Sequence, residues 1–144
     1  MDSYLKHYIN GKWVDSIGGK RHEVISPSTE EPCTEITLGT QADVDAAVAA
    51  AKEAFKTFSQ TSREERLALM GRIIEEYKKR IPDFAQSMAN EMGAPVSFAT
   101  MAQAPAGLGG FLGTMPALEQ FSFKEQVGAN TVVYEPIGVV GLIT

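Results

Sequence analysis

The feature that most constrains the fold is the run Ile137-Gly138-Val139-Val140-Gly141-Leu142-Ile143, a nearly continuous apolar stretch. Such a run reads as a strand buried on both faces, as in parallel α/β sheets. A strand of that kind needs neighbouring strands and covering helices. Only Thr144 follows it in the 144-residue sequence. The expectation is therefore an α/β chain that stops where a second domain would begin.

Composition narrows the function classes. The chain is 44% apolar and 22% charged, enough apolar material to bury a core and too much for wholesale disorder. Its net charge of −5 argues against nucleic acid as a partner, because phosphate binding needs a basic surface. A single cysteine rules out an internal disulfide framework and a Cys-rich zinc site. Met1 to Lys6 shows no basic-then-apolar leader, so the cytoplasm is the expected compartment. Residues 92–118 carry no charge and are long enough to span a bilayer. They also hold Pro95, Pro105 and Pro116, several glycines and polar residues, and their apolar content is largely alanine. The stretch reads as buried in protein, with no membrane partner.

The first forty residues read as strands and turns. Asn10-Gly11, between Tyr8-Ile9 and Lys12-Trp13-Val14, supplies the two positive-φ positions of a type I′ hairpin. Val24-Ile25 is a short strand ended by Ser26-Pro27, and Glu35 to Leu38 is another. Helices follow. Thr40 with Asp43 resembles a capping box, and Val44, Ala47, Val48, Ala51, Phe55 and Phe58 then repeat at helical spacing. Ser62 with Glu65 is a full capping box, followed by a stripe of Leu67, Met70, Ile74, Tyr77 and Ile81. Lys78-Lys79-Arg80 reads as the cationic last turn of that helix. A third helix is expected from about Asp83 to Met92, with Gly93 as its C′ residue and Pro95 as its stop. Asn130 to Tyr134 is strand-like.

Each candidate chemical motif has a plainer reading. Gly107-Leu108-Gly109-Gly110-Phe111-Leu112-Gly113 fails the dinucleotide-binding pattern, which needs glycine where Leu112 stands and a strand before it. It reads as a glycine-rich helix or bend that permits close packing. Cys33 has no cation near it in sequence and reads as an incidental thiol. His7 and His22 lack ligand-spaced partners. Met88, Met92 and Met101 read as core filler. Glu91 reads as a solvated helix-end residue, with an oxygen ligand for a hard cation as the alternative. No complete catalytic constellation is present.

The order of these landmarks resembles the amino-terminal part of the NAD(P)-dependent aldehyde dehydrogenase superfamily. Tyr8-Ile9-Asn10-Gly11-Lys12-Trp13-Val14 is similar to its opening strand pair. Ser26-Pro27-Ser28-Thr29-Glu30-Glu31 resembles the family's Asn-Pro-Ala/Ser-Thr-x-Glu turn, with Ser26 in place of Asn. Ala42 to Val48 and Ala51 to Phe55 resemble its first helix, and Ser62-Arg63-Glu64-Glu65-Arg66 the start of the second. Asn90-Glu91-Met92-Gly93-Ala94-Pro95 is similar to its acid-x-Gly-Lys/Ala-Pro turn, and Glu135 to Thr144 to its first dinucleotide-domain strand.

The resemblance implies an α/β fold in three parts. These are a strand and helical layer over 1–126, a subunit-joining strand segment over 127–135, and the first strand of a Rossmann-like dinucleotide-binding sheet over 136–144. It implies oxidation of a small-molecule aldehyde to a carboxylic acid with NAD or NADP. In the family a cysteine thiolate attacks the carbonyl, a hydride passes to the cofactor, and a glutamate activates water to hydrolyse the thioester. Those groups match no position here, and Cys33 does not fit the nucleophile's motif, so no catalytic residue is assigned. By resemblance, Ile143 and Thr144 border the cofactor cleft. Val24 or Ile25, through carbonyl oxygens, and Glu91 match positions that hold a monovalent cation in some members. Val127 to Tyr134 implies a homodimer or homotetramer. The alternative to an enzyme part is a catalytically inert, truncated interaction or assembly module.

Overall fold

The computed structural model describes residues 2–143. Strand β1 (Asp2–Tyr4) is followed by the hairpin β2 (Lys6–Ile9) and β3 (Lys12–Asp15). Between them Asn10 and Gly11 have φ of 50° and 74°, the expected type I′ chemistry, and His7 pairs with Val14 across the ladder. Strands β4 (Arg21–Ile25) and β5 (Pro32–Thr37) pair antiparallel, and β1 adds to β5 in parallel, giving the order β1-β5-β4. The last strand begins at Pro32, earlier than the sequence signal at Glu35. Val24 faces Thr34 while Ile25 faces Pro32, so Cys33 is the extra residue of a bulge.

Helix α1 (Gln41–Phe58) opens with the expected box, in which Thr40 and Asp43 cap each other's backbone N–H. Helix α2 (Arg63–Met92) opens with the Ser62–Glu65 box and closes on Gly93 at φ 69°. The expected break near Arg80 and separate helix from Asp83 do not occur. One 30-residue helix runs through Pro82. Pro82 denies a hydrogen bond to the Lys78 carbonyl. Yet Ile74, Ile81, Ala85 and Met88 fall on one face on both sides of it, and packing of that face keeps the helix whole. Lys78, Lys79 and Arg80 are therefore mid-helix and exposed, paired at i,i+3 with Glu75, Glu76 and Asp83 rather than with a helix terminus. The Lys78 hydrogen bond holds the Glu75 carboxyl below its ordinary value.

After Pro95 comes a short helical turn α3 (Val96–Phe98), a π-helical turn (Ala99–Gln103) and helix α4 (Ala104–Gln120). The Ala104 N–H donates to the Ala99 carbonyl, one residue further back than in an α-helix. Pro105 explains the wide turn, because its ring would crowd the Met101 carbonyl in a regular helix. Strands β6 (Lys124–Val127) and β7 (Asn130–Val133) then form an exposed antiparallel hairpin.

The core is a seam of small residues. Ala85, Ala99 and Ala104 are buried, with Ile81, Met88 and Ala94 packed around them, and Ile74 is buried further along α2. Of the three methionines, only Met88 packs there; Met92 and Met101 point outward because they leave the seam-facing side. The glycine-rich run lies in α4, but only Gly107 is closely packed; a Cβ at Gly109, Gly110 or Gly113 would meet nothing within 4 Å. At Gly107 a side chain would collide with the Tyr77 hydroxyl, which donates to the Ala104 carbonyl at 2.9 Å. No helix of the described residues is long and apolar enough to cross a membrane.

Much of the chain's apolar surface is uncovered. A compact 15.6 kDa protein exposes about 7,300 Å², whereas this chain exposes 10,619 Å². The Ile137–Ile143 run joins no sheet of the described residues, and Ile137, Leu142 and Ile143 are over nine-tenths exposed. A strand is defined by its ladder, and no neighbouring strand is present to pair with it.

Candidate functional site

The cation-ligand candidates sit on two elements that converge. Val24 and Ile25 end β4 at the bulge, which redirects the chain into the Ser26–Glu31 turn. That turn is closed by the Ser26 N–H to the Glu31 carbonyl at 3.0 Å and the Glu30 N–H to the Ser26 carbonyl at 2.8 Å. Ser26 is buried. Glu91 lies in the last turn of α2, two residues before Gly93. A Cβ on Gly93 would lie 3.0 Å from both Pro27 Cγ and Ser28 Oγ, so the end of α2 rests against this turn. The fold thus brings the two segments together, while Glu91 itself is exposed. Carbonyl and carboxylate oxygens are the donor set hard cations use. The Val24 carbonyl accepts from the Cys33 thiol at 3.3 Å. Among the described residues no group of three or more His, Cys, Asp and Glu side chains is gathered as a metal site.

Cys33 is half-buried, with its thiol turned onto that carbonyl. This is the surrounding of a packing residue.

The cofactor-edge candidates differ. Ile143 is described and is 95% exposed; Thr144 lies outside the described residues. One unpaired stretch of backbone offers no cleft of its own. A dinucleotide site needs the flanking strands and a helix N-terminus.

The most highly organised polar group is one the sequence registered only as a cap. Asp43 is 5% exposed. Its carboxylate accepts from the Ser16 hydroxyl at 2.5 Å, the Ile17 N–H at 2.9 Å and the Thr40 N–H at 2.8 Å. The Thr40 hydroxyl lies 3.0 Å from both Asp43 Oδ2 and the Ile17 carbonyl, so its single proton serves one of them. The Ser16 hydrogen bond, then those of the Ile17 and Thr40 amides, hold the Asp43 carboxyl far below the usual carboxylate range. His7 Nε2 lies 3.9 Å from Asp43 Oδ2 and is buried without a hydrogen-bond partner. A carboxylate so saturated with donors is a poor base. It is a joint that fixes the loop after β3 to the start of α1. Sequence spacing could find its role at Thr40, three residues away, but not the contacts 26 and 27 residues away.

Comparison with known proteins fits this architecture. The sequence profile of the aldehyde dehydrogenase family matches residues 13–144. A Staphylococcus aureus (strain bovine RF122 / ET3-1) protein, named as a candidate aldehyde dehydrogenase, is 44% identical over all 144 residues, which span 30% of that relative. The crystal structure of an aldehyde dehydrogenase from Bartonella henselae superposes with a TM-score of 0.86 at 42% identity. That match covers 90% of this chain and 28% of that one. A variant of aldehyde dehydrogenase C from Pseudomonas syringae, solved with NAD+ and octanal, gives 0.88 at 36% identity, covering 92% and 27%. The chain therefore spans under a third of the length of these relatives. Because the profile, the sequence identity and the backbone agree over nearly all of it, the chain belongs to the aldehyde dehydrogenase family and corresponds to that family's amino-terminal portion.

Proposed function

We propose that this chain is part of an oxidoreductase that oxidises an aldehyde to a carboxylic acid with NAD+ or NADP+ through a cysteine thioester. The observation that supports this most is the family match over residues 13–144, and the exposed surface supports the chain's being a part. A chain showing 10,619 Å², where a compact one of its mass shows about 7,300 Å², is shaped to pack against more polypeptide. In this reading residues 1–126 are the strand and helical layer, 127–135 join subunits, and 136–144 are the first strand of the dinucleotide-binding sheet. The β6–β7 hairpin projects a strand edge, a natural contact for a homodimer or homotetramer.

Ile143 and Thr144 would border the cofactor through backbone groups, since ligands sit at the carboxyl ends of parallel strands. When bound, the nicotinamide accepts the hydride from the substrate. The Val24 or Ile25 carbonyl and Glu91 would hold a monovalent cation that braces the sheet against the end of α2. The nucleophilic cysteine and the water-activating glutamate are assigned outside these residues, and the 144 residues alone are expected to be inactive. The cytoplasm is the proposed compartment.

The test is the intact mass of the polypeptide carrying this sequence in its native source, together with its oxidation of octanal. A mass well above 15.6 kDa, with aldehyde-dependent appearance of reduced nicotinamide, is the expected result. A native 15.6 kDa product that oxidises no aldehyde and co-purifies with a defined partner would overturn the reading in favour of an assembly module.

A further inference from the structure

A cavity of about 290 Å³ opens where the α1–α2 turn meets the base of the β6–β7 hairpin. Two of its walls are the guanidinium groups of Arg63 and Arg66, three residues apart in the first turn of α2. Cations at that spacing share a helix face and repel each other. They also sit at the positive end of the helix dipole, where an anion is favoured. Nearby acids do not relieve them. Glu65 is committed to the Ser62 N–H at 2.7 Å, and no ion pair joins Glu64 to either arginine.

The arginines are nevertheless held in place. Arg66 donates through Nε to the Thr61 hydroxyl at 2.9 Å and through Nη2 to the Ser59 carbonyl at 3.3 Å. Arg63 donates to the Phe121 carbonyl and lies 5.7 Å from the Phe123 ring centroid. Its Nε is buried without a hydrogen-bond partner. Such a donor is costly to leave unpaired. The remaining charged group lining the cavity is Glu135. Its place is set by its neighbour Tyr134, whose N–H donates to the Phe123 carbonyl at 3.0 Å and whose ring packs edge-on to Phe121 at 5.2 Å.

We propose that Arg63 and Arg66 form a seat for the Glu135 carboxylate, and that its closure positions the Ile137–Ile143 run. No ion pair joins them in this structure. Closure needs side-chain rotation of Glu135 into a cavity it already lines. Engagement neutralises the paired cations. It also fixes the chain two residues before the apolar run begins. Glu135 and Arg66 are thus positioning residues. Their consequence for the cofactor edge rests on the function proposed above, but the seat itself does not.

The test uses the full chain, the side-chain Nε–Hε resonances of Arg63 and Arg66, and the heteronuclear NOEs of the Glu135, Ile137 and Gly138 amides. E135Q is expected to shift both arginine resonances and to lower those NOEs. R66Q should lower those NOEs no further on the E135Q background, and E135D, which keeps the charge, should restore them. Unmoved arginine resonances in E135Q, or additive effects of the two substitutions, overturn the seat. So does sodium sulfate shifting those resonances as strongly in the parent as in E135Q, because the cavity would then be open to solvent anions. E135Q leaves both arginines in place, so failure of R66Q to fold does not block the test. Absence of aldehyde oxidation by the native polypeptide would count against the proposed function and leave the seat untouched.

Discussion

Asp43 and the Ile137–Ile143 run lie at opposite extremes of the same chain. Asp43 is buried and finds donors from Ser16, Ile17 and Thr40 within its own polypeptide. The apolar run is largely exposed and pairs with no strand of the described residues. The difference lies in the reach of the forces. A carboxylate needs a few directional donors, which one turn and one helix start supply. An apolar strand needs two flanking strands and two covering faces, which the other described residues do not provide.

The largest effect is expected from removing Asp43. D43A strands several buried donors at once and should lower the Tm by on the order of 10 °C, read by calorimetry. Its pH signature has a definite sign. The Asp43 carboxyl is depressed in the folded state. Its contribution is therefore complete above the ordinary carboxylate range and is lost as pH falls below about 4 toward the depressed folded value. The stability gap between the parent and D43N should narrow as pH falls below about 4. A gap that widens in acid would show that the joint is not held by the ionised carboxylate.

The next effect sharpens the contrast inside the helical layer. G107V would drive a side chain into the Tyr77 hydroxyl and break its bond to Ala104. A loss on the order of 2–3 kcal/mol is expected from the urea midpoint. Replacing Pro82 should act in the opposite direction. P82A restores a donor for the Lys78 carbonyl at an exposed helical position and should add on the order of 1–2 kcal/mol. A destabilised P82A would mean that the proline itself is needed to shape α2.

The smallest effect on folding belongs to the run. Triple replacement of Ile137, Leu142 and Ile143 by serine should change stability by less than about 0.5 kcal/mol, since all three are exposed. It should instead reduce self-association, measured by light scattering. A large loss of stability would show that these side chains are already packed.

The sequence by itself determined the local grammar. Asn10-Gly11 dictates its turn, Thr40–Asp43 and Ser62–Glu65 start their helices, and Gly93 closes one, because each acts over a few bonds. The ordered landmarks also carried the family resemblance. Tertiary structure decided what depends on distant partners. It kept α2 whole through Pro82, turned Asp43 into an inter-element joint, seated Tyr77 over Gly107 and brought the Ser26–Glu31 turn against Gly93. It also left the apolar run uncovered. Periodicity records that a segment is apolar, but burial is a property of the surfaces that meet it.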